Sequence, residues 1–229
     1  MSMDVIISRY NEDLKWTTEG IFNQFKYIVY NKGDNDNFEK SNVIQIINLP
    51  NVGRNTHTYL HHIITNYNHL NDIIVFLPGS LDLEYKKKKA VQMLTRIYYD
   101  KNAVFIGEYS QSIYSKFKDF KIDNWLSSNL HNATKNNQSK LVPCNIRPFG
   151  NWYKYYFGTK PVQLFAYWDV FSIDKKDIIQ HPVSRYIILM KQNLLDEFSD
   201  TEVAHYFERC WCAVFHPMNH TRKILQPYR

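Results

Sequence analysis

One short segment of the sequence combines three features that suit phosphate binding. Asn51-Val52-Gly53-Arg54 follows an apolar run and precedes a region of helical periodicity. Gly53 lets the backbone approach a ligand closely, and the N-terminus of the following helix attracts an anion. Arg54 can donate two parallel hydrogen bonds to a phosphate group. The alternative is a glycine turn followed by a surface arginine.

Two other clusters offer different chemistry. In the aromatic and basic segment 144–156, Arg147, Trp152 and Tyr153 suit the wall of an acceptor site, because aromatic faces stack on sugars and arginine binds phosphate. Packing inside the protein is the alternative. Lys86 to Lys89 is a run of four lysines. Such a run indicates either a nucleic-acid patch or an ordinary solvated helix surface.

Histidines and cysteines are weaker candidates for a metal site. His57 and His61 stand four residues apart, but the pattern HTYLH lacks the glutamate of the HExxH zinc motif. Cys210 and Cys212 would point to different faces of a helix, so we interpret them as packing residues. The chain has three cysteines and no CxxC pair, which argues against a disulfide scaffold and favours a reducing compartment.

An alternation of strands and helices is predicted to position these residues. Short apolar runs predict five strands, at 4–8, 25–30, 43–49, 73–77 and 103–107. Periodicity predicts a short helix near Trp16 to Phe22, a helix after 51–55 and another over about 82–99. This alternation indicates an α/β protein with a mainly parallel sheet flanked by helices. In such sheets ligands bind beyond the carboxyl ends of the strands.

The second half of the chain is less regular. Its pattern predicts a long polar loop at 127–140, a strand at 164–173 and a helix at 175–195 with Pro182 in or just before its first turn. It also predicts an amphipathic helix at 201–215. Neither a repeat nor a linker is evident. We therefore expect a single domain over 1–229, with a nucleotide-binding half at 1–110 and an acceptor half at 111–229.

Composition excludes several common enzyme classes. The chain has 229 residues and only seven glycines, and no GxGxxG, GxxxxGK[ST] or GxSxG motif occurs. Those absences argue against Rossmann dehydrogenases, P-loop NTPases and standard α/β-hydrolases. Hydrophobic residues make up 44% of the chain, which is enough to build a core without disulfides.

The charge balance and the apolar runs set expectations for partners and location. The net charge of +6 suits nucleotide-sugars, nucleic acids or anionic surfaces without selecting one of them, and the alternative is that it only reflects a composition rich in Asn, Ile and Lys. No apolar run approaches 18 residues, and the first residues lack the pattern of a signal peptide. We expect a soluble, cytoplasmic protein that makes no membrane contact.

Four motifs, in this order along the chain, resemble one known family. They are SRYNEDLKW, NVGRNTHTYLHHIITNY, IIVFLPG and the late HPVSRY…HYFERCW. The chain resembles the small glycosyltransferase-like proteins of giant DNA viruses and fungi, and the resemblance spans most of its length. It implies a GT-A-like sheet that binds a nucleotide-sugar and, for a viral protein, a place in the host cytoplasm or the virion.

The resemblance also implies a donor site along the strand ends. Asn11, Glu12 and Asp13 follow the first strand, where GT-A-type proteins hold the base and ribose, although Asn11 or Asp13 would equally cap a helix starting near Leu14. Four further positions complete the predicted donor site together with Gly53: Asn31, Lys32, Asn51 and Arg54.

Glu208, in HYFERCW, stands where an inverting enzyme of this architecture would place its general base. Trp211 shares its helix face and is predicted, with Arg147 and Trp152, to bind the acceptor. The alternative for Glu208 is a salt bridge to Arg185 or Arg209.

Metal binding is the point at which the sequence departs from the family pattern. A metal-dependent GT-A enzyme usually has a DXD motif after the fourth strand, whereas this chain has Pro78-Gly79-Ser80. Asp82 comes slightly late and could hold Mn²⁺ or Mg²⁺, or could instead cap the next helix. Without a metal, the cations Arg54, Lys32 and Arg147 would neutralise the diphosphate.

These observations lead to one hypothesis and two rivals. The chain is predicted to be an inverting glycosyltransferase that uses a nucleotide-sugar, with a UDP-sugar as the preferred donor. One rival is a module with the same sheet that binds a glycan or nucleotide without turnover. The other is a nucleic-acid-associated sugar transferase that uses the lysine run and the aromatic residues.

Overall fold

The apolar run at 73–78 forms a strand in which all six residues are buried, as expected for a strand inside a sheet covered on both faces. The structure is a computed structural model that describes residues 2–122, 142–159, 161–192 and 201–226. Its strands are β1 Met3–Arg9, β2 Tyr27–Asn31, β3 Val43–Asn48, β4 Ile73–Pro78, β5 Val104–Tyr109, β6 Leu164–Phe165, β7 Phe171–Asp174 and β8 Arg222–Gln226.

Its α-helices are α1 Arg54–Thr65, α2 Glu84–Asp100, α3 Ile113–Phe117, α4 Phe149–Phe157, α5 Lys175–Ile179, α6 Val183–Lys191 and α7 Glu202–Val214. Two short 3₁₀ helices, Lys15–Thr18 and Gly20–Gln24, follow β1. Within the described ranges, no helix is long and apolar enough to cross a membrane.

The main sheet is mixed, with five strands in the order β3-β2-β1-β4-β7. The first four strands are parallel, and β7 pairs with β4 in the antiparallel sense. A three-stranded sheet, β6-β5-β8, lies beside β7. Ser172 joins the two sheets, because its hydroxyl accepts from the N–H of Val104 at 2.7 Å and donates to the carbonyl of Val104 at 2.8 Å.

Alternating side chains of the central strands enter two separate cores. Ile6 and Phe76 pack on one face with α1, α4 and α7. Val5 and Val75 pack on the other face with α2 and the 3₁₀ helices. This alternation is the period of two expected for strands, and it confirms an α/β architecture with helices on both faces of the sheet.

The first half of the chain follows the predicted pattern closely, whereas the second half does not. The predicted strand 164–173 is wrong as a single element, because residues 166–170 separate β6 from β7. The predicted helix 175–195 is two helices, since Pro182 begins α6 with the extended backbone that a helix interior cannot adopt. The predicted loop 127–140 and residues 193–195 lie outside the described residues.

Candidate functional site

The carboxyl ends of the four parallel strands meet along one edge of the main sheet. Arg9 of β1 is in register with Asn31 of β2, which is in register with Asn48 of β3. On the other side of β1, Ser8 is opposite Pro78 of β4. This is the edge at which open parallel sheets bind ligands.

Between β1 and β2 the edge is stabilised by a buried arginine. Arg9 donates hydrogen bonds to Asn31 Oδ1 at 2.6 Å and to the backbone and side-chain oxygens of Asn35 at 2.7 and 2.6 Å. Its guanidinium lies 4.3 Å from the ring centre of Phe38. Asn31, predicted to bind the cofactor, is therefore buried and occupied by Arg9 and its own loop.

The three polar residues after β1 have different environments. Glu12 turns back towards the strand ends, where Oε2 accepts from the N–H of Tyr10 at 2.7 Å and would lie 2.8 Å from a Cβ added at Gly79. Asn11 and Asp13 are exposed. Asp13 accepts from the N–H of Lys15, and this bond lowers the pKa of the carboxyl group. The N-cap of the following 3₁₀ helix is Leu14, with no side-chain cap bond, so Asp13 makes a local contact without being the cap.

The backbone makes a tight turn at the start of α1, as the glycine at position 53 predicts. Gly53 and Arg54 both have positive φ, at 59° and 50°. Lys32 stabilises this turn, because its buried ammonium group donates to the carbonyls of Val52 at 2.5 Å and Arg54 at 2.6 Å. Burial lowers the pKa of Lys32 to about 7. Lys32 thus binds protein backbone here, and Asn51 is exposed beside it.

A histidine connects Arg54 to the predicted base Glu208. Arg54 Nη1 lies 3.1 Å from Nε2 of the buried His205 on α7. A guanidinium only donates, so Nε2 accepts and the ring proton is on Nδ1. Nδ1 lies 3.9 Å from Glu208 Oε2. Arg54 and Glu208, which the sequence places far apart, therefore lie on either side of one imidazole.

Glu208 remains accessible from the solvent. Its side chain is 23% exposed, and Oε1 accepts from the N–H of Trp168 at 2.9 Å. Arg209 Nη1 is 3.8 Å from Oε2, so the alternative salt bridge is present at long range. Arg185, the other alternative partner, donates to the carbonyl of Ala213.

Beside Glu208 lies a second carboxylate that the sequence analysis missed. Asp169 Oδ1 accepts from Trp211 Nε1 at 2.9 Å, and Oδ2 accepts from Asn55 Nδ2 at 3.1 Å. Burial, and after it the nearby charge of Glu208, raises the pKa of Asp169 to about 6. Two carboxyl groups with different environments therefore lie near enough for the charge of Glu208 to affect Asp169.

Asp169 was hidden within the predicted strand 164–173. Trp168 and Asp169 instead have positive φ, at 73° and 55°, a conformation that non-glycine residues adopt rarely and mostly in turns. The one available signal was an aspartate within an apolar run, AYWDVF, where a buried strand would have to bury its charge.

The lysine run divides into two pairs with different roles. Lys87 pairs with Glu19, and Lys88 pairs with Glu84 at 2.7 Å, so both face outward. Lys86 and Lys89 turn inward from the start of α2. Lys86 donates to Ser80 Oγ at 2.8 Å, and the buried Lys89 donates to the carbonyl of Tyr167 at 3.0 Å. Neither predicted reading of the run, nucleic-acid patch or solvated surface, anticipates these two inward lysines.

The predicted acceptor residues lie in the core or pair with core groups. Trp152 and Trp211 have no exposed surface, and Trp211 contributes by donating to Asp169. Arg147 forms an ion pair of 2.8 Å with the fully buried Glu202. These placements correct the prediction of an acceptor wall. The partly exposed aromatic pair in this region is Tyr85 and Trp168, with ring centres 4.8 Å apart.

Metal ligands do not converge at the predicted positions. Asp82 is exposed after β4. His57 and His61 have ring centres 5.9 Å apart, and burial, with Lys32 and His61 nearby, lowers the pKa of His57 to about 4. In the described part of the chain, no three histidine, cysteine, aspartate or glutamate side chains are grouped to hold a metal ion.

A cavity of about 500 Å³ lies at the opposite edge of the sheet. Its lining includes residues from the beginnings of β1 and β2 and from the end of α2, among them Lys26, Tyr98 and Lys101. It shares no residue with the edge described above. The charged cluster at the carboxyl ends of the strands, which includes Arg54, Asp169 and Glu208, is the candidate functional site.

Comparisons with known proteins identify a family for nearly the whole chain. Residues 5–224 match the family described as "Protein of unknown function (DUF3431)". No curated protein matches the chain. The matched range includes every residue of the candidate site, from Glu12 to Glu208. The chain therefore belongs to the DUF3431 family.

Proposed function

We propose that this protein is a nucleotide-sugar-dependent glycosyltransferase of GT-A-like architecture that inverts the configuration of the transferred sugar. The observation that supports it most directly is the line from Arg54 through His205 to Glu208 at the carboxyl edge of the sheet. This line places a cation suited to a diphosphate close to a carboxylate suited to a general base. The second carboxylate, Asp169, lies beside them.

The donor would lie across the ends of β1 and β4. Asn11, Glu12 and Asp13 offer acceptor oxygens to the ribose of the nucleotide, a UDP-sugar in the first instance. Arg54, at the N-terminus of α1, would bind the diphosphate, where the helix dipole also favours negative charge. Lys32 would act indirectly, since its ammonium group supports the backbone of that turn.

Glu208 would act as the base in a single displacement. Its carboxylate accepts the proton of an acceptor hydroxyl, whose oxygen forms a bond to the anomeric carbon. The bond from that carbon to the phosphate oxygen breaks, and the nucleoside diphosphate leaves with the electron pair. The N–H of Trp168 donates to Oε1 at 2.9 Å and holds the carboxylate in place, and Nδ1 of His205 lies 3.9 Å from Oε2.

The aromatic pair Tyr85 and Trp168 would replace the predicted acceptor wall. Their ring centres are 4.8 Å apart. Burial, and after it the negative charge of Glu208, raises the pKa of Tyr85. Aromatic faces bind the apolar faces of sugars, so an acceptor placed on this pair would present a hydroxyl towards Glu208. This arrangement favours a glycan acceptor over a small polar molecule.

The test is release of nucleotide from a panel of nucleotide-sugars in the presence of an acceptor mixture, with and without Mn²⁺. The wild-type protein should release UDP, and Glu208→Gln should reduce the rate about 100-fold or more. Arg54→Ala should raise the Kd of the donor about 10-fold or more, because it removes charge-assisted hydrogen bonds. Arg96→Ala, an exposed arginine on α2, is the matched control.

Two results would contradict the proposal. Unchanged donor affinity in Arg54→Ala would remove Arg54 from the donor site. Thermal shifts with nucleotide-sugars but no nucleotide release, under any condition of the panel, would instead support a binding module without turnover.

A further inference from the structure

A lysine side chain reaches the segment after β4, where the resemblance predicts a divalent cation. Lys86 lies in the first turn of α2, and its ammonium group donates to Ser80 Oγ at 2.8 Å. Ser80 is the second residue after β4. The side chain therefore reaches back from the helix to the segment after β4.

The charges around Lys86 belong to the candidate site. Burial lowers the pKa of Lys86, while the negative charges of Asp169, Glu208 and Glu12 raise it and Arg54 lowers it. Glu12 lies against Gly79, next to Ser80. The ammonium group therefore lies in the electrostatic surroundings of Glu12 and Glu208, which the proposed function assigns to the ribose side and the reacting side of the donor.

The donor set at this position does not fit a divalent cation. Asp82 is exposed, and Glu84 is paired with Lys88 at 2.7 Å. Ser80 Oγ already accepts from Lys86, and Glu12 Oε2, beside Gly79, already accepts from the N–H of Tyr10 at 2.7 Å. A divalent cation bound beside Ser80 would lie next to a fixed ammonium group and be repelled by it. Mg²⁺ and Mn²⁺ also require several oxygen ligands, which this set lacks.

We infer that Lys86 binds the diphosphate of the donor together with Arg54, so that donor binding requires no divalent cation. This inference rests on the proposed function for the identity of the ligand. Two cations from different elements, the start of α1 and the start of α2, would bind one dianionic group between them. Lys89 holds the adjacent 166–170 segment through the carbonyl of Tyr167 and completes the support.

The test uses UDP and inorganic pyrophosphate as probes in isothermal titration calorimetry. Wild-type protein should bind UDP with about the same Kd in EDTA and in Mn²⁺. Lys86→Met should raise that Kd by about 10- to 100-fold, as expected for the loss of a hydrogen bond to a charged group. Lys86→Arg should retain most of the affinity. Lys88→Met changes an exposed lysine two residues away and should have no effect.

UDP binding that requires Mn²⁺ would overturn the inference, and this result needs only the wild-type protein. Equal affinity for UDP in wild type and a folded Lys86→Met or Lys86→Gln variant would overturn it as well. Lys86-dependent UDP binding without sugar transfer would uphold the anion site and contradict the proposed function. Sugar transfer that survives in Lys86→Met with an unchanged KM for the donor would uphold the proposed function and contradict the role of Lys86 in binding the diphosphate.

Discussion

Asp169 and Glu208 form a pair of carboxyl groups whose environments differ. Asp169 accepts hydrogen bonds from Trp211 and Asn55, whereas Glu208 is partly exposed and accepts from the N–H of Trp168. Pairs of this kind divide the roles of base and neutral partner in many enzymes, because a buried carboxyl group near a like charge keeps its proton to higher pH. The pair is therefore the residue-scale feature on which the pH dependence of the site rests.

Removing the charge of Glu208 should lower the pKa of Asp169. The negative charge of Glu208 disfavours a second negative charge nearby, so Glu208→Gln makes ionisation of Asp169 easier, and its pKa should fall from about 6 by roughly one unit. Carbon-13 NMR titration of the aspartate carboxyl groups measures the shift, with Asp169→Asn to assign the signal. Glu84→Gln, an exposed carboxylate paired with Lys88, is the control. An unmoved titration would mean that burial alone raises this pKa.

The positions of the first five strands could be predicted from the sequence, because their composition and their geometry agree. The runs that form β1 to β5 are apolar, short and bounded by polar or turn residues, so their positions were predictable to within a few residues. The segment 166–170 was not, because its apolar side chains pack in a turn rather than a strand. Tertiary contacts determine that turn, including the hydrogen bond from Tyr59 to the carbonyl of Asp169 at 2.9 Å.

The inward orientation of Lys86 and Lys89 was also not predictable from the sequence pattern. Periodicity places Lys86 and Lys89 on one face of α2, but residue type suggested that this face would be solvated. The start of α2 lies over the strand ends, where carbonyl and hydroxyl groups accept from these two lysines. The acceptors of these two lysines are the hydroxyl of Ser80 and the carbonyl of Tyr167, which are far apart in the sequence. The pattern of residues 86–89 alone could not predict that they would lie beneath this face of α2.

Arg147 and Glu202 link α7 to the segments that precede it, and we predict a structural rather than an acceptor role for them. The fully buried Glu202 accepts from the N–H groups of Ile122 at 3.1 Å and Cys144 at 2.8 Å, and it pairs with Arg147. Arg147→Met leaves a buried carboxylate without its counter-charge, which should reduce the free energy of unfolding by about 3–5 kcal/mol. Urea denaturation measures this loss.

The matched control for that prediction is Arg222→Met, since Arg222 forms an exposed pair with Asp100 at 2.6 Å. Exposed pairs contribute about 0–1 kcal/mol, so this variant should be nearly as stable as the wild type. Adding Glu202→Gln to Arg147→Met should recover part of the lost stability by removing the unpaired charge. Equal effects of the Arg147 and Arg222 variants would contradict the structural role.

At the scale of the whole molecule, folding brings together residues that motif reasoning could only name separately. Arg54 and His205 are 151 positions apart and lie in contact. The sequence suggested Arg54 from its glycine turn and Glu208 from the resemblance, and both belong to the charged cluster. It could not exclude Trp152 or Trp211, because whether a tryptophan faces a ligand or a core depends on the layers that cover it.

Within the described part of the chain, the contacts of the lysine run argue against its use as a dedicated nucleic-acid surface. The net charge is +6, yet the lysine run offers no continuous row of available cations: two of its members turn inward, and the other two pair with Glu19 and Glu84.

We therefore predict only weak binding to duplex or single-stranded DNA, with a Kd of about 10⁻⁴–10⁻⁶ M at physiological salt and no sequence preference. Fluorescence anisotropy between 50 and 200 mM salt measures both the affinity and its salt dependence, each of which reflects the number of phosphates contacted. A double variant, Lys87→Met with Lys88→Met, should change neither, because these lysines are already neutralised by partners on the protein. A steep salt dependence that this variant abolishes would show that the outward lysines release their glutamate partners for phosphate, and would favour the nucleic-acid-associated transferase over a glycan-directed one.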